Sequence, residues 1–415
     1  MDAEIIAVGS EMLTPERLDT NSLFLTGELN DLGIEVTAKH VIGDDRERLA
    51  STVKRALTAV RLVIVSGGLG PTEDDVTRDA VALALDRRQL LNSDILSGIE
   101  QRFRSMNRHM PEINRRQAMV IEGAHVLANE RGTAPGQWIE EGDRIAILLP
   151  GPPHELKHIF ERQCIARLAR VAPPLAIRTL VFRISGMSES ELDQTIAPIY
   201  KHYENPATTV LAHNGDMQVH LRARCSSERE AEALLREVGS QIEVALGERI
   251  YSRNGDPLEV VVGQKLAERH ATIAVAESAT GGGLADRISL VPGSSAYFLG
   301  GFVTYSPRLK MELLGVPEEM IRKCGPVSPN VAEAMANGAR RRTGATYAIA
   351  ITGNAGPTTD GPEAPAGTFY VAIAAPLDVE VTERVWPAPD RARVRAFAAQ
   401  MALDLLNRKL SAGRL

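Results

Sequence analysis

Two glycine-rich turns, each entered from a buried apolar run, hold the side chains of this 415-residue sequence best placed to do chemistry. The first reads VIVSGGLGPTEDD from Val63 to Asp75. Gly67, Gly68 and Gly70 let the backbone approach a ligand closely and offer amides to a phosphate. Asp74 and Asp75 follow, and hard carboxylate oxygens beside a pyrophosphate suit a magnesium-like divalent ion. The same string also reads as a tight strand-to-helix turn in which Thr72 caps and the acids favour the helix start. Residue chemistry leaves both readings open.

The second set is spread over one stretch of the C-terminal third. AVAESATGGG at Ala274–Gly283 ends a strand at Glu277-Ser278 and opens a helix at Thr280, Gly281 and Gly282, whose amides suit an anion. PGSS at Pro292–Ser295 and GGFVTYSPRLK at Gly300–Lys310 supply Ser295, Tyr305 and Lys310. TGNAGP at Thr352–Pro357 brings Thr352 and Gly353 to another turn that follows a buried strand. A serine with a lysine base is a nucleophile pair, provided burial lowers the amine toward neutrality. Each residue also has an ordinary reading: Ser295 as a helix cap, Tyr305 as a core ring, Lys310 as a solvated helix residue. No cysteine lies in these strings, so a thiol nucleophile is not expected.

The elements that must carry these turns are legible from hydrophobic period. Ile5–Val8, Ile34–Val41, Leu62–Val65 and Ile145–Leu149 read as strands, with helices over Asn21–Leu32, Arg46–Val60 and Val76–Leu85 between them. Such alternation predicts a mostly parallel, doubly wound α/β sheet over residues 1–172, with ligands at the C-terminal strand ends. Pro173-Pro174 opens a small connector, 173–253, of order β-α-β-β-α with no catalytic cluster. Asn254-Gly255-Asp256-Pro257 opens a third module, 254–415, with Asp256 capping a helix to Arg269. Its strands are Ile273–Ala276, Tyr347–Ile351 and Gly367–Ala374, and its closing helix is Arg391–Leu410.

Composition narrows the partners. Aromatic residues are only 4% and the formal charge is -6, which disfavours direct nucleic-acid binding through stacking platforms or a basic face. Three scattered cysteines suit a reducing compartment. The acidic start lacks a secretory leader, and no apolar run reaches the roughly 20 residues of a membrane span, so a cytoplasmic protein without membrane contact is expected.

The strings themselves resemble one family. GSEML, DTNS, VIGDD, SGGLGPTEDD, NRRQAMV, RGTAPG and LPGPPHEL resemble the molybdopterin-binding-like domain of CinA proteins. AESATGG, PGSSAYF, GGFVTYSPRLK, LLGV, GPVSPNVAEAMA and ITGNAGP resemble the CinA C-terminal domain, also found alone as nicotinamide mononucleotide deamidase. The resemblance implies deamidation of nicotinamide mononucleotide without a metal, with Ser295 as nucleophile, Lys310 as its activator, Tyr305 assisting and Ser278 orienting. For the first domain it implies metal-dependent cleavage of ADP-ribose, with a magnesium-like ion or cobalt, and for the whole a homodimer in pyridine-nucleotide salvage. The rival is a non-catalytic pterin- or nucleotide-binding protein of competence or DNA damage. The sequence departs from the family at Thr14-Pro15-Glu16-Arg17, at Ala279 and at Asn354.

Overall fold

The computed structural model describes residues 1–213, 215–357, 365–386 and 390–412, which form two compact units: Met1–Arg178 with Ala223–Leu234, and Thr179–Arg222 with Leu235–Leu415. In the first, the chain runs β1 (Asp2–Val8), α1 (Thr20–Asp31), β2 (Glu35–Ile42), α2 (Arg46–Ala59), β3 (Leu62–Ser66) and α3 (Thr77–Ala84). It continues through β4 (Gln89–Leu91), α4 (Ser93–Ser105), β5 (Met119–Ile121), β6 (His125–Leu127), β7 (Gly136–Glu141), β8 (Arg144–Leu149), α5 (Pro153–Ile159) and α6 (Ile165–Val171). The main sheet has the order β2-β1-β3-β8-β7-β6. Its first four strands are parallel, and β7 and β6 join antiparallel.

Strand alternation splits the core between the two faces of this sheet. Ile6, Val8, Val63, Val65, Ala146 and Leu148 pack on α2 and α3, whereas Ala3, Ile5, Leu62, Ile64, Ile147 and Leu149 pack on α1 and the α5–α6 segment. A strand buried on both faces is apolar at every position, which is why β3 and β8 stand out in the sequence. Asp19 and Asp45 cap α1 and α2 by accepting from the amides of Ser22 and Arg48 at 2.9 and 3.0 Å. The chain leaves β1 for β2 on one side and reaches β3 on the other, so the sheet's switch point lies between β1 and β3.

The connector follows the expected order: β9 (Ala176–Ile184), α7 (Glu189–Tyr200), β10 (Ala207–His213), β11 (Asp216–Cys225) and α8 (Glu228–Leu246). A short β12 (Ile250–Ser252) pairs antiparallel with β9, completing the order β10-β11-β9-β12. After it come α9 (Leu258–Glu268), β13 (Ile273–Glu277), α10 (Gly283–Ser289), β14 (Phe298–Val303), α11 (Pro307–Leu314), α12 (Glu318–Cys324) and α13 (Pro329–Thr343). The last elements are β15 (Tyr347–Gly353), β16 (Thr368–Ala374), β17 (Val379–Val385) and α14 (Arg391–Ala412). Asp256 does not cap α9: Pro257 holds the cap position, and the Asp256 carboxylate accepts from Asn254 Nδ2 within its own turn.

The sheet β14-β13-β15-β16-β17 is parallel at β14, β13 and β15 and antiparallel beyond. Its faces differ in bulk. Ile273, Val275, Ile349, Ile351, Phe369 and Val371 meet α9, α10 and α14. Ala276, Ala348, Ala350, Ala372 and Ala374 meet α13, and rows of alanine let a helix lie close to a sheet. Among the described residues no helix is long and apolar enough to cross a membrane.

Candidate functional site

In the first unit the ends of β1, β3 and β8 open a cavity of about 540 Å³ at the switch point. Gly67, Gly68 and Gly70 line it, with Asn21, Asp19, Arg17, Glu11, Asp75, Glu155 and the Pro150-Gly151-Pro152 turn. Gly67 is obligatory: its φ is +101°, and a Cβ there would stand 2.3 Å from the Val8 carbonyl oxygen. Asn21 Nδ2 donates to Ser66 Oγ at 3.1 Å and to the Gly151 carbonyl at 2.8 Å. Its Oδ1 is buried with no partner among the described residues, an acceptor left for a ligand. Asn21 carries no signal in the sequence beyond its place in DTNS.

The two aspartates after the glycines part company. Asp75 turns back on its own loop, accepting from the amides of Gly70 at 2.7 Å and Thr72 at 2.8 Å and from Thr72 Oγ1 at 2.6 Å. Buried Arg78 grips the same loop from behind, donating to the carbonyls of Leu69 at 2.6 Å and Gly70 at 2.7 Å, and burial lowers its pKa to about 10. Asp74 is exposed and does not line the cavity. The pair therefore does not fit a shared divalent ion, and no cluster of three or more metal-type ligands occurs among the described residues. Thr72 does not cap α3, whose cap position is Val76.

In the second unit the ends of β13 and β15 gather the other polar set. Lys310, on the first turns of α11, is 1% exposed. Its Nζ donates to the Pro326 carbonyl at 2.6 Å and to Thr352 Oγ1 at 2.8 Å, and no carboxylate pairs with it among the described residues. Taking the ammonium out of water lowers its pKa to about 8. Thr352 Oγ1 passes its own proton to the same Pro326 carbonyl at 3.0 Å. Strand register sets Glu277 opposite Ile351, and the next residue, Ser278, donates its amide to the Ile351 carbonyl, so buried Ser278 lies at the same sheet end as Thr352.

The AESATGG turn already holds an anion, and it is internal. Fully buried Glu277 accepts from the amides of Gly282 at 3.1 Å, Leu284 at 2.9 Å and Ala285 at 2.8 Å. The helix start expected to cradle a phosphate through Gly281 and Gly282 is thus occupied by the chain's own carboxylate. The Thr280 and Thr304 hydroxyls around it are buried without partners among the described residues. Gly353 serves packing, since an added Cβ would come within 2.5 Å of Phe369 Cβ.

Two arginines that sequence reasoning missed complete the set. Arg391 and Arg395, one turn apart on α14, reach the same loops. Arg391 donates to the Gly356 carbonyl at 3.0 Å and to the Tyr305 hydroxyl at 2.6 Å, and Arg395 donates to the Thr280 carbonyl at 2.6 Å. Neither pairs with a carboxylate among the described residues, and Arg395 Nε is buried without a partner. Their only trace in the sequence is the i, i+4 spacing in RARVR. Tyr305 is 59% exposed and joins this cluster through Arg391.

Ser295 stands elsewhere. It lies exposed in a single 3₁₀ turn, Ser294–Ala296, before β14, whose Phe298 pairs with Ile273 and whose Val303 pairs with Glu277. Five strand steps at about 3.3 Å put roughly 16 Å of β14 between the two ends. Within one chain Ser295 is therefore at the far end of the strand from Tyr305, Ser278 and Lys310.

Fold and site together define a modular α/β protein with two polar strand ends, one forming a cavity and one built around a desolvated lysine. The chain belongs to the CinA family. Residues 4–170 match the domain described as "Probable molybdopterin binding domain", 179–252 the "Damage-inducible protein CinA KH domain" and 255–410 the "CinA C-terminal domain". It is 63% identical over 411 residues to a CinA-like protein of Solibacter usitatus, covering 99% of both chains. It is 46% identical to a CinA-like protein of Koribacter versatilis, covering 99% of this chain and 100% of that one. Among solved structures, a competence/damage inducible protein of Agrobacterium tumefaciens is 34% identical, covering 37% of this chain and 93% of that chain with a TM-score of 0.36.

Proposed function

We propose that the C-terminal domain is an amidohydrolase that converts nicotinamide mononucleotide and water to nicotinic acid mononucleotide and ammonia, with Lys310 as its base. One observation carries this reading: a lysine removed from water, unpaired with any carboxylate among the described residues and lowered to about 8, is poised to exchange protons near neutrality. Lys310 takes the proton of a serine hydroxyl as the serine Oγ bonds to the carboxamide carbon and the carbonyl electron pair moves to oxygen. Collapse breaks the C–N bond, and ammonia departs with the proton returned from Lys310, with Tyr305 assisting. Water then gives a proton to Lys310, attacks the acyl ester and frees the serine. Arg391 and Arg395 suit the substrate's phosphate, being two guanidiniums without counter-charge at one site.

The serine is Ser295 by resemblance, while Ser278 is the serine at Lys310's end of the sheet. Ammonia release from nicotinamide mononucleotide by the purified chain, against Ser295→Ala, Ser278→Ala and Lys310→Ala, tests the reading. Loss of several orders of magnitude with Lys310→Ala is expected. Tight binding with no turnover by wild type would leave a nucleotide-binding protein and sink the amidase.

The first unit supports a second reading. A 540 Å³ cavity at a switch point, floored by Gly67–Gly70 and offering the Asn21 acceptor, suits a nucleoside diphosphate such as ADP-ribose. Turnover of ADP-ribose with and without added magnesium or cobalt tests whether that cavity cleaves its ligand or only holds it.

A further inference from the structure

Helix α14 carries a second polar pair, away from the lysine site. Gln400 and Asp404 lie four residues apart on one face of the helix, and each is more than nine-tenths buried. They line a cavity of about 280 Å³ that belongs wholly to the second unit, with Phe397, Met401 and Leu405 as its apolar wall. The connector contributes the Ser185–Ser188 turn after β9 and Gly215 before β11. Gly215 has a φ of +83°, and a Cβ there would stand 2.6 Å from the Phe397 ring, so glycine keeps the ring in place. Gln400 is nine residues beyond Arg391, roughly 13 Å along the helix, and the cavity shares no lining residue with the lysine site.

The hydrogen bonds of this cavity are incomplete. Gln400 Oε1 accepts from Arg287 at 2.8 Å, which fixes the amide and leaves Nε2 as a donor. That Nε2 is buried with no acceptor among the described residues. Asp404 accepts from Ser185 Oγ through one oxygen and from Arg408 at 2.7 Å through the other, so each oxygen keeps a lone pair. A donor beside an acceptor matches a ring edge that presents a nitrogen acceptor beside an amine. The Phe397 ring, backed by Trp386 at 4.4 Å between centroids, supplies a surface for such a ring to stack on. Arg408 is paired with Asp404, whereas exposed Arg384 has no carboxylate partner among the described residues. We propose that this cavity binds an adenine nucleotide, with the base edge on Gln400 and Asp404, the ring against Phe397 and the phosphate on Arg384. A volume near the low end of ligand cavities, roughly 300 Å³, suits a base with its phosphate at the mouth. The site stands apart from the amidase reading and uses none of its residues.

The chain carries its own reporter. Trp386 is one of two tryptophans, and the other, Trp138, lies in the first unit, so full-length Trp138→Phe protein reports through Trp386 alone. AMP is expected to change the Trp386 emission saturably, and IMP, which has a carbonyl where AMP has the amine, to bind at least tenfold more weakly. Gln400→Glu keeps an acceptor for Arg287 but removes the donor, and should cost AMP at least tenfold in affinity. Arg384→Gln should weaken AMP and leave adenosine unchanged. No saturable change with AMP overturns the proposal, and equal affinity for AMP and IMP overturns the base edge. Calorimetric titration of AMP into wild type and Gln400→Glu gives the same comparison should Trp138→Phe fail to fold. Binding that survives Gln400→Glu but is lost in Arg391→Gln, Arg395→Gln puts the nucleotide at the lysine site and overturns the proposal, while the reverse pattern supports it.

Discussion

The pH dependence of deamidation follows from the burial of Lys310 and can be worked in advance. A lysine at its ordinary pKa of 10.5 is about one part in 3,000 free amine at pH 7, and one lowered to about 8 is about one part in 11, a gain near 300-fold in active base. If that amine is the base, kcat/KM rises with unit slope from pH 6, bends near pH 8 and levels above it. The rise between pH 6 and pH 8 is about 50-fold, the ratio of the two free-base fractions. Lys310→Arg keeps the charge but cannot release it, so its activity falls about 10²–10⁴-fold with the fold intact. The assay is coupled ammonia detection across pH 5.5–9.5 under subsaturating substrate. The same shift acts on stability with a definite sign. Between about pH 8 and 10.5 the unfolded lysine is protonated and the folded one is not, so stability rises with pH through that window and the penalty is fully present below it. The penalty is on the order of 3 kcal/mol, so Lys310→Met should stabilise the C-terminal domain at pH 7 by about 1–3 kcal/mol while abolishing turnover. A flat profile from pH 6 to 9, or near-normal activity in Lys310→Arg, would refute the assignment of Lys310 as base.

Three further outcomes are expected. Asp75→Ala should lower the melting temperature of the N-terminal transition, leaving two amides and a hydroxyl without their acceptor at a cost of about 2–3 kcal/mol, whereas exposed Asp74→Ala should stay within about 0.5 kcal/mol in the same scan. Glu277→Gln turns an amide group toward three backbone donors and should destabilise the C-terminal domain by about 2–4 kcal/mol in chemical denaturation, an unchanged midpoint being the contrary result. Arg391→Gln with Arg395→Gln should raise KM for nicotinamide mononucleotide at least tenfold and leave the phosphate-free nucleoside unaffected, and equal losses on both substrates would remove the phosphate role.

What could be read in advance follows the physics of burial. β3, β8, β13, β15 and β16 are covered on both faces, so each is a continuous apolar run, and their expected ends lie within a few residues of the observed ones. β7 and β17 have no such signature: GQWIEE is a short buried run that ends in two exposed glutamates, VEVTERV mixes charge along an open edge strand, and pairing to a neighbour rather than composition makes them strands. For the lysine, the sequence shows a residue type and a position, but its burial arises from α11, the Pro326 carbonyl and Thr352, segments up to 42 residues apart. Arg391 and Arg395 were illegible for the same reason, since their meaning lies in reaching loops 35 to 115 residues away.

Both glycine-rich turns show why such strings mislead when taken one at a time. Glycines after a buried strand do free backbone amides, and those amides do bind an anion, but the anion need not be a ligand. Asp75 takes the amides of Gly70 and Thr72, five and three residues before it, and Glu277 takes those of Gly282, Leu284 and Ala285, five to eight residues after it. A carboxylate at that spacing closes part of the turn on itself, which makes the loop rigid and takes those amides away from any phosphate. Recognition then passes to groups the turn positions: the Asn21 acceptor in one unit, and Arg391, Arg395 and Lys310 in the other. If that division is right, removing the closing carboxylate should loosen the loop first and weaken ligand binding only through it. Glu277→Gln would then lose amide protection against hydrogen exchange at Gly282–Ala285 even without substrate, and saturating substrate would restore little of it. Protection unchanged in the free protein, with affinity nonetheless lost, would mean that the carboxylate meets the ligand itself.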